Sequence, residues 1–93
     1  MTSSTAFYYY KNKKDIKKDL KNGTFLNIIH KGDSYGNNLW NFLYSKDYIM
    51  EDPDRINVSL SYKDVCELSK ESYDLKEVKT AMDKHKAKFV YFN

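Results

Sequence analysis

Between residues 61 and 92 the chain carries two helix-start signatures in succession, and they leave few ways to fold what surrounds them. Ser61 with Asp64 three positions on has the form of a capping box, flanked by Leu60 and Val65 as a hydrophobic staple. Asp74 with Glu77, flanked by Tyr73 and Val78, repeats that form. The first signature predicts a helix that turns Val65 and Leu68 inward, and the second a helix running to about Ala87. On this second helix Leu75, Val78, Met82 and His85, then Phe89, fall within one arc, while Lys76, Thr80, Asp83, Lys84 and Ala87 fall on the other side. One side is built to pack and the other is free. Residues 89–92 then read as an apolar strand, and the alternation of Ile56, Val58 and Leu60 with Asn57 and Ser59 predicts another just before the helix pair.

The rest of the chain supplies further strands and helices. Residues 6–10 are aromatic enough for a short strand. Asn12 with Asp15 resembles a third capping box, and Ile16 with Leu20 gives a narrow apolar stripe on a helix that stops at Asn22 and Gly23. Lys13, Lys14, Lys17, Lys18 and Lys21 cover the remainder of that helix. Residues 24–30, apolar on both sides of the pleat, read as a strand inside a sheet rather than at its edge, followed by a polar loop over residues 31–38. Leu39, Trp40, Phe42, Leu43 and Tyr44 leave residues 38–45 almost no polar face, which predicts a helix at the centre of the core, with a buried strand as the alternative. The fold class that follows is α+β, with one domain over residues 1–93, a small, mostly antiparallel sheet and three or four helices.

Composition narrows the class of function. With 41% hydrophobic residues, three Gly and one Pro, the chain is neither disordered nor repetitive. The lone Cys66 excludes an intramolecular disulfide and a cysteine-based zinc site. No apolar run is long enough to span a bilayer, and MTSSTAFYYY has neither the charged nor the apolar segment of a signal peptide, so a soluble cytoplasmic protein with no membrane partner is expected. Heavy use of Lys, Asn, Tyr and Ile beside a single Arg suits an AT-rich genome, as in many phages and mobile elements, and a phage-encoded chain would act inside the host cell. The net charge of +3 conceals a segregation: seven Lys and two Asp in residues 1–31, three basic and seven acidic residues in 32–69, six Lys and four acids in 70–93. Both ends are basic, and can steer an anionic partner, while the middle is acidic.

Over residues 38–92 the succession of the helix LWNFLYS, the strand INVSL, the helix SYKDVCELS, the turn KESYD and the helix LKEVKTAMDKHKAKF resembles the winged-helix, or helix-turn-helix, family. The resemblance implies DNA binding, with the last helix laid in the major groove. By position, Ser72, Tyr73, Lys76, Lys79, Thr80 and Lys84 would approach the nucleic acid, and Lys13, Lys14, Lys17 and Lys18 would add charge without sequence preference. Asp74 and Glu77 depart from the pattern, because they neutralise the helix-end field that attracts phosphate. The resemblance also requires a partner strand for residues 89–92, from residues 6–10 or 24–30.

No constellation of residues specifies a reaction or a cofactor. His30 and His85 have no Ser, Cys or carboxylate in a recognised catalytic spacing, and Glu51, Asp52 and Asp54 lack the ligand spacing of a calcium loop. The expectation is a non-enzymatic binding protein whose partner is DNA or a nucleic-acid-processing protein complex. Tyr8, Tyr9 and Tyr10 beside Lys11, Lys13 and Lys14 have the chemistry of a single-strand stacking platform, but a strand with inward core tyrosines and an outward solvent-facing one explains them better, because stacking surfaces use separated aromatics on neighbouring strands. The rival reading is a small inhibitor that docks on a host defence nuclease, as anti-CRISPR proteins do, through Tyr9, Asp47, Glu51, Asp52 and Asp54. A homodimer paired through a terminal strand is a third arrangement.

Overall fold

The structure, a computed structural model, describes residues 4–35, 38–48 and 58–93. Ser4–Tyr10 forms strand β1, Lys13–Asn22 helix α1, His30–Tyr35 β2, Asn38–Ser45 α2, Val58–Ser61 β3, Tyr62–Leu68 α3, Tyr73–His85 α4 and Phe89–Phe92 β4. The four strands make one antiparallel sheet in the order β2-β1-β4-β3, so the fold is α+β. The last strand in the chain lies inside the sheet. Phe92 is flanked by Phe7 and Val58, and Val90 by Tyr9 and Leu60, so four neighbouring strand positions turn the same way as these two.

Alternation along the two central strands divides their side chains between two clusters. Phe7, Tyr9, Val90 and Phe92 join Val58 and Leu60 of β3, and Leu39, Leu43, Val65, Leu68, Leu75, Val78 and Met82 of the helices α2, α3 and α4 cover them. On the opposite face Tyr10 and Tyr91 pack with Ile16 of α1, and Tyr8, Phe25, Ile28 and Phe89 complete that second cluster. The sheet is therefore sandwiched between α1 on one side and α2, α3 and α4 on the other. The Trp40 indole N–H donates to the Thr5 hydroxyl at 2.8 Å and ties α2 to β1.

Local chemistry sets most boundaries. The Asn12 side chain accepts from the Asp15 N–H at 2.9 Å to open α1, and Gly23 closes it in the left-handed region at φ 66°. The Ser61 hydroxyl caps α3 by accepting from the Asp64 N–H at 3.2 Å, and the Leu60 and Val65 pair beside it lies in the main core. At α4 the capping residue is Ser72, which accepts from the Leu75 N–H at 3.4 Å, and not Asp74. Tyr73 is 74% exposed and forms no staple with Val78. The helix stops at His85 because Lys86 takes the left-handed conformation at φ 57°, and the Ala87 N–H then bonds the Met82 carbonyl. That reversal turns Ala87 inward, against the expectation that it faces out, and carries Phe89 to the second cluster instead of the arc of α4.

Two further expectations need correction. Residues 24–29 are not a strand, and β2 begins at His30 and uses residues expected to form a loop. As an edge strand pairing only with β1, β2 does not need the apolar content of an inner strand. The segment before it is apolar on both sides for a different reason: Phe25 and Ile28 serve one cluster and Ile29 the other. On α1 the buried pair is Ile16 and Asp19, while Leu20 is 44% exposed. Fully buried, Asp19 accepts from the Tyr10 hydroxyl at 2.9 Å, the Asn27 backbone N–H at 3.0 Å and the Asn27 side-chain amide at 2.5 Å. One carboxylate thus fastens α1, the sheet and the residue 24–29 segment together.

Candidate nucleic-acid interface

The side of α4 away from the core carries Tyr73, Lys76, Thr80 and Lys84, which at helical spacing lie within an arc of about 80°. All four are exposed, with Glu77 and Asp83 at the margins of the same stripe. Behind them Leu75, Val78 and Met82 are buried. The Thr80 hydroxyl donates to the Lys76 carbonyl at 3.0 Å, which holds that side chain against its own helix. Lys76 and Lys84 are in no ion pair among the described residues.

Lys79 differs. Its ammonium donates to Asp83 at 3.1 Å, and the other oxygen of that carboxylate accepts the Tyr62 hydroxyl at 2.5 Å. The Tyr62 bond and then the Lys79 bond hold the Asp83 carboxyl below its ordinary range, and the same bond, ahead of the one to Cys66, pushes the Tyr62 phenol up. Lys79 therefore serves an internal surface network that joins α3 to α4 and is a poorer contact for an outside anion than its neighbours.

The start of α4 is acidic. Glu71 and Asp74 line an open cleft of about 330 Å³ together with Asn38, Phe42, Ser72 and Tyr73. Lys46 bonds Glu71 at 2.9 Å and offsets one of the charges. From Lys76 onward the balance reverses, with Lys84, Lys86 and Lys88 exposed near the far end. Cations at a helix C-terminus also suit the sign of the helix dipole.

Lys13, Lys14, Lys17 and Lys18 are all exposed, but they lie on α1 and so on the other side of the sheet from α4. The two basic sets assigned to nucleic acid therefore lie on separate surfaces. Of the residues of the inhibitor reading, Tyr9 is 2% exposed and belongs to the main core, where burial and then Glu77 push its phenol up to about 12, so it offers no contact surface. Both its neighbours are packed too: Tyr10 is buried, and Tyr8 stacks on Phe25 with ring centroids 3.9 Å apart. An exposed tyrosine ladder on β1 does not form. Asp47 is exposed at φ 61°, while Glu51, Asp52 and Asp54 lie outside the described residues.

The two histidines, distant in sequence, meet. His30 at the start of β2 and His85 at the end of α4 stack with centroids 3.9 Å apart and planes 14° from parallel. Loss of hydration, then His30 and Lys84, lowers the His85 pKa. No third His, Cys, Asp or Glu joins them in a metal-holding group among the described residues. Sequence reasoning also passes over Leu26, which is 84% exposed beside the packed Phe25. No helix among the described residues is long and apolar enough to cross a membrane. Comparison with protein-family models, with curated proteins and with solved structures gave no match.

Proposed function

We propose that this protein is a non-enzymatic DNA-binding domain that docks through the outer stripe of α4, with β3, α3, α4 and β4 as a winged-helix-like unit. The observation that carries the reading is the division of α4 into a buried apolar side and an exposed side bearing Tyr73, Lys76, Thr80 and Lys84. The strand order supports it as well, since β3 and β4 bracket the helix pair and are hydrogen-bonded to each other. Lys76 and Lys84 then contact phosphate or base edges, and Tyr73 reaches the groove wall. Because Glu71 and Asp74 repel phosphate at the helix start, the contact is centred on the later turns of α4. Fluorescence anisotropy with a duplex from 50 to 200 mM salt tests this. Affinity should fall steeply with salt, and Lys76→Gln with Lys84→Gln should make the slope of log affinity against log salt shallower by about 1.8, at about 0.9 per lost phosphate contact. Absence of any salt-sensitive affinity removes the reading.

A second reading, an inhibitor that docks on a nucleic-acid-processing protein, is favoured by the cleft at the start of α4. Two carboxylates beside exposed Tyr73 and partly exposed Phe42 suit a basic side chain of a partner better than a phosphate. Glu71→Gln with Asp74→Asn should then abolish capture of that partner from nuclease-treated lysate and leave any duplex affinity unchanged or stronger.

A further inference from the structure

Helix α1 carries five lysines in its ten residues. At helical spacing Lys13, Lys14, Lys17, Lys18 and Lys21 spread over about 140°, and the middle of that arc points directly away from Ile16 and Asp19, the two residues that bury the helix. All five are exposed and in no ion pair among the described residues. The acids of the same helix do little to cancel them, because Asp19 is turned inward and held by Tyr10 and Asn27, and only the partly buried Asp15 remains. Five cations along about 12 Å of helix face a duplex that presents one phosphate charge per about 1.7 Å of its axis.

The sheet separates this surface from the stripe on α4. The two helices belong to clusters on opposite faces, so their outward sides point away from each other and one straight duplex cannot lie on both. From this geometry we infer that α1 is a second, sequence-independent phosphate-binding surface, and that one molecule links two separate duplex segments. The inference rests on the DNA-binding reading of α4 and adds to it a partner for the opposite face.

Three proteins test it: the unaltered chain, an α1 variant with Lys13→Gln, Lys14→Gln, Lys17→Gln, Lys18→Gln and Lys21→Gln, and an α4 variant with Lys76→Gln and Lys84→Gln. Glutamine keeps the helix propensity and removes the charge, and circular dichroism melts verify folding. In the first measurement each protein is titrated with a labelled duplex. Each variant should still bind one duplex more weakly, and the α1 variant should lose up to about 4.5 from the salt slope, at about 0.9 per phosphate contact. In the second, protein is loaded on a bead-bound duplex and offered a soluble labelled duplex. The unaltered chain should capture the soluble duplex, and each variant should capture at least tenfold less. Capture by the α1 variant at the unaltered level overturns the inference, as does binding without capture by the unaltered chain. Because Leu20 and Leu26 are exposed near the end of α1, vesicles with 30% anionic lipid form a third arm. If the α1 substitutions abolish vesicle binding and leave duplex binding intact, α1 is a lipid surface and the inference fails. If no protein binds duplex at 50 mM salt, the α4 reading fails together with it, whereas binding without capture by the unaltered chain overturns the linkage and leaves the α4 reading standing.

Discussion

Replacing Asp19 should expose how much of the fold hangs on one side chain. Its carboxylate accepts three hydrogen bonds from two partners, Tyr10 of the sheet and Asn27 of the segment that leads into β2, and it does so with no exposure to water. Asp19→Ala leaves the buried Tyr10 hydroxyl and the two partly buried Asn27 donors without an acceptor. At about 1–3 kcal/mol for each unsatisfied group, with some relief by local water entry, the loss should be about 3–5 kcal/mol. A chain of this size has a total stability of about 5–15 kcal/mol, so the variant should melt about 12–30 °C lower or fail to fold. Asp19→Asn is gentler. The amide keeps one acceptor for Tyr10 and the Asn27 backbone, and the Asn27 side chain can rotate to offer its oxygen to the new NH₂, so chiefly the charge assistance is lost, about 1–3 kcal/mol. Burial alone would raise the Asp19 carboxyl, but the bonds from Asn27 and Tyr10, with Lys18 nearby, outweigh it and hold the pKa below the ordinary carboxylate value. A depressed folded-state pKa means stability that is present above the unfolded value, about pH 4, and is lost as pH falls through the folded one. Urea denaturation from pH 7 down to pH 2 should therefore show an acid limb in the unaltered protein that is shallower in Asp19→Asn. An Asp19→Ala protein within 1 kcal/mol of the unaltered one at pH 7, with the same denaturant slope, would refute the reasoning.

The stacked histidines predict a second and higher pH window. With the His85 pKa lowered, stability is full above the unfolded value, about pH 6.5, and is lost as pH falls through the folded value, so melts at pH 8, 6.5 and 5.5 should decline less in His85→Gln than in the unaltered chain; an undiminished decline in the variant would place its origin elsewhere. Leu43→Ala, at a fully buried position of α2, should cost about 2–5 kcal/mol by urea denaturation. Gly23→Ala should cost about 1–2 kcal/mol although nothing lies within 4 Å of the added methyl group, because the left-handed φ of 66° is strained for any L side chain, and a neutral result would show that α1 can end another way.

The sequence makes legible those parts of the fold whose cause is local. Asn12 and Ser61 act as caps because their oxygens need to reach only three residues along the chain, and Leu75, Val78 and Met82 turn inward because helical spacing alone groups them. What is not legible depends on distant partners. Asp19 looks like one more polar residue of a lysine-rich helix until Tyr10 and Asn27 surround it. Residues 24–29 look like a strand because apolar side chains alternate between two faces, a pattern also produced by a connection that feeds two clusters. His30 and His85 become one feature only when β2 and α4 are brought together. At the candidate site the outward stripe of α4 follows from periodicity, but the diversion of Lys79 into the Tyr62–Asp83 network needs the neighbouring helix to be in place.

The covering of the sheet on both faces decides where binding can occur. A single-strand platform of the kind that stacks bases on neighbouring strands needs exposed aromatic rings on an open face. Here Tyr9 and Phe92 lie beneath α2 to α4, and Tyr10 and Tyr91 lie beneath α1, so the aromatic content of the central strands is spent on holding helices. Contact with an outside molecule is left to side chains that project from the helices themselves and from the edges. On α1 and on the outer stripe of α4 they include seven exposed lysines, long flexible cations that suit a repeating charge better than a shaped pocket. Under the DNA-binding proposal these lysines meet a polyanion, and the sandwich sets the two proposed docking surfaces facing apart.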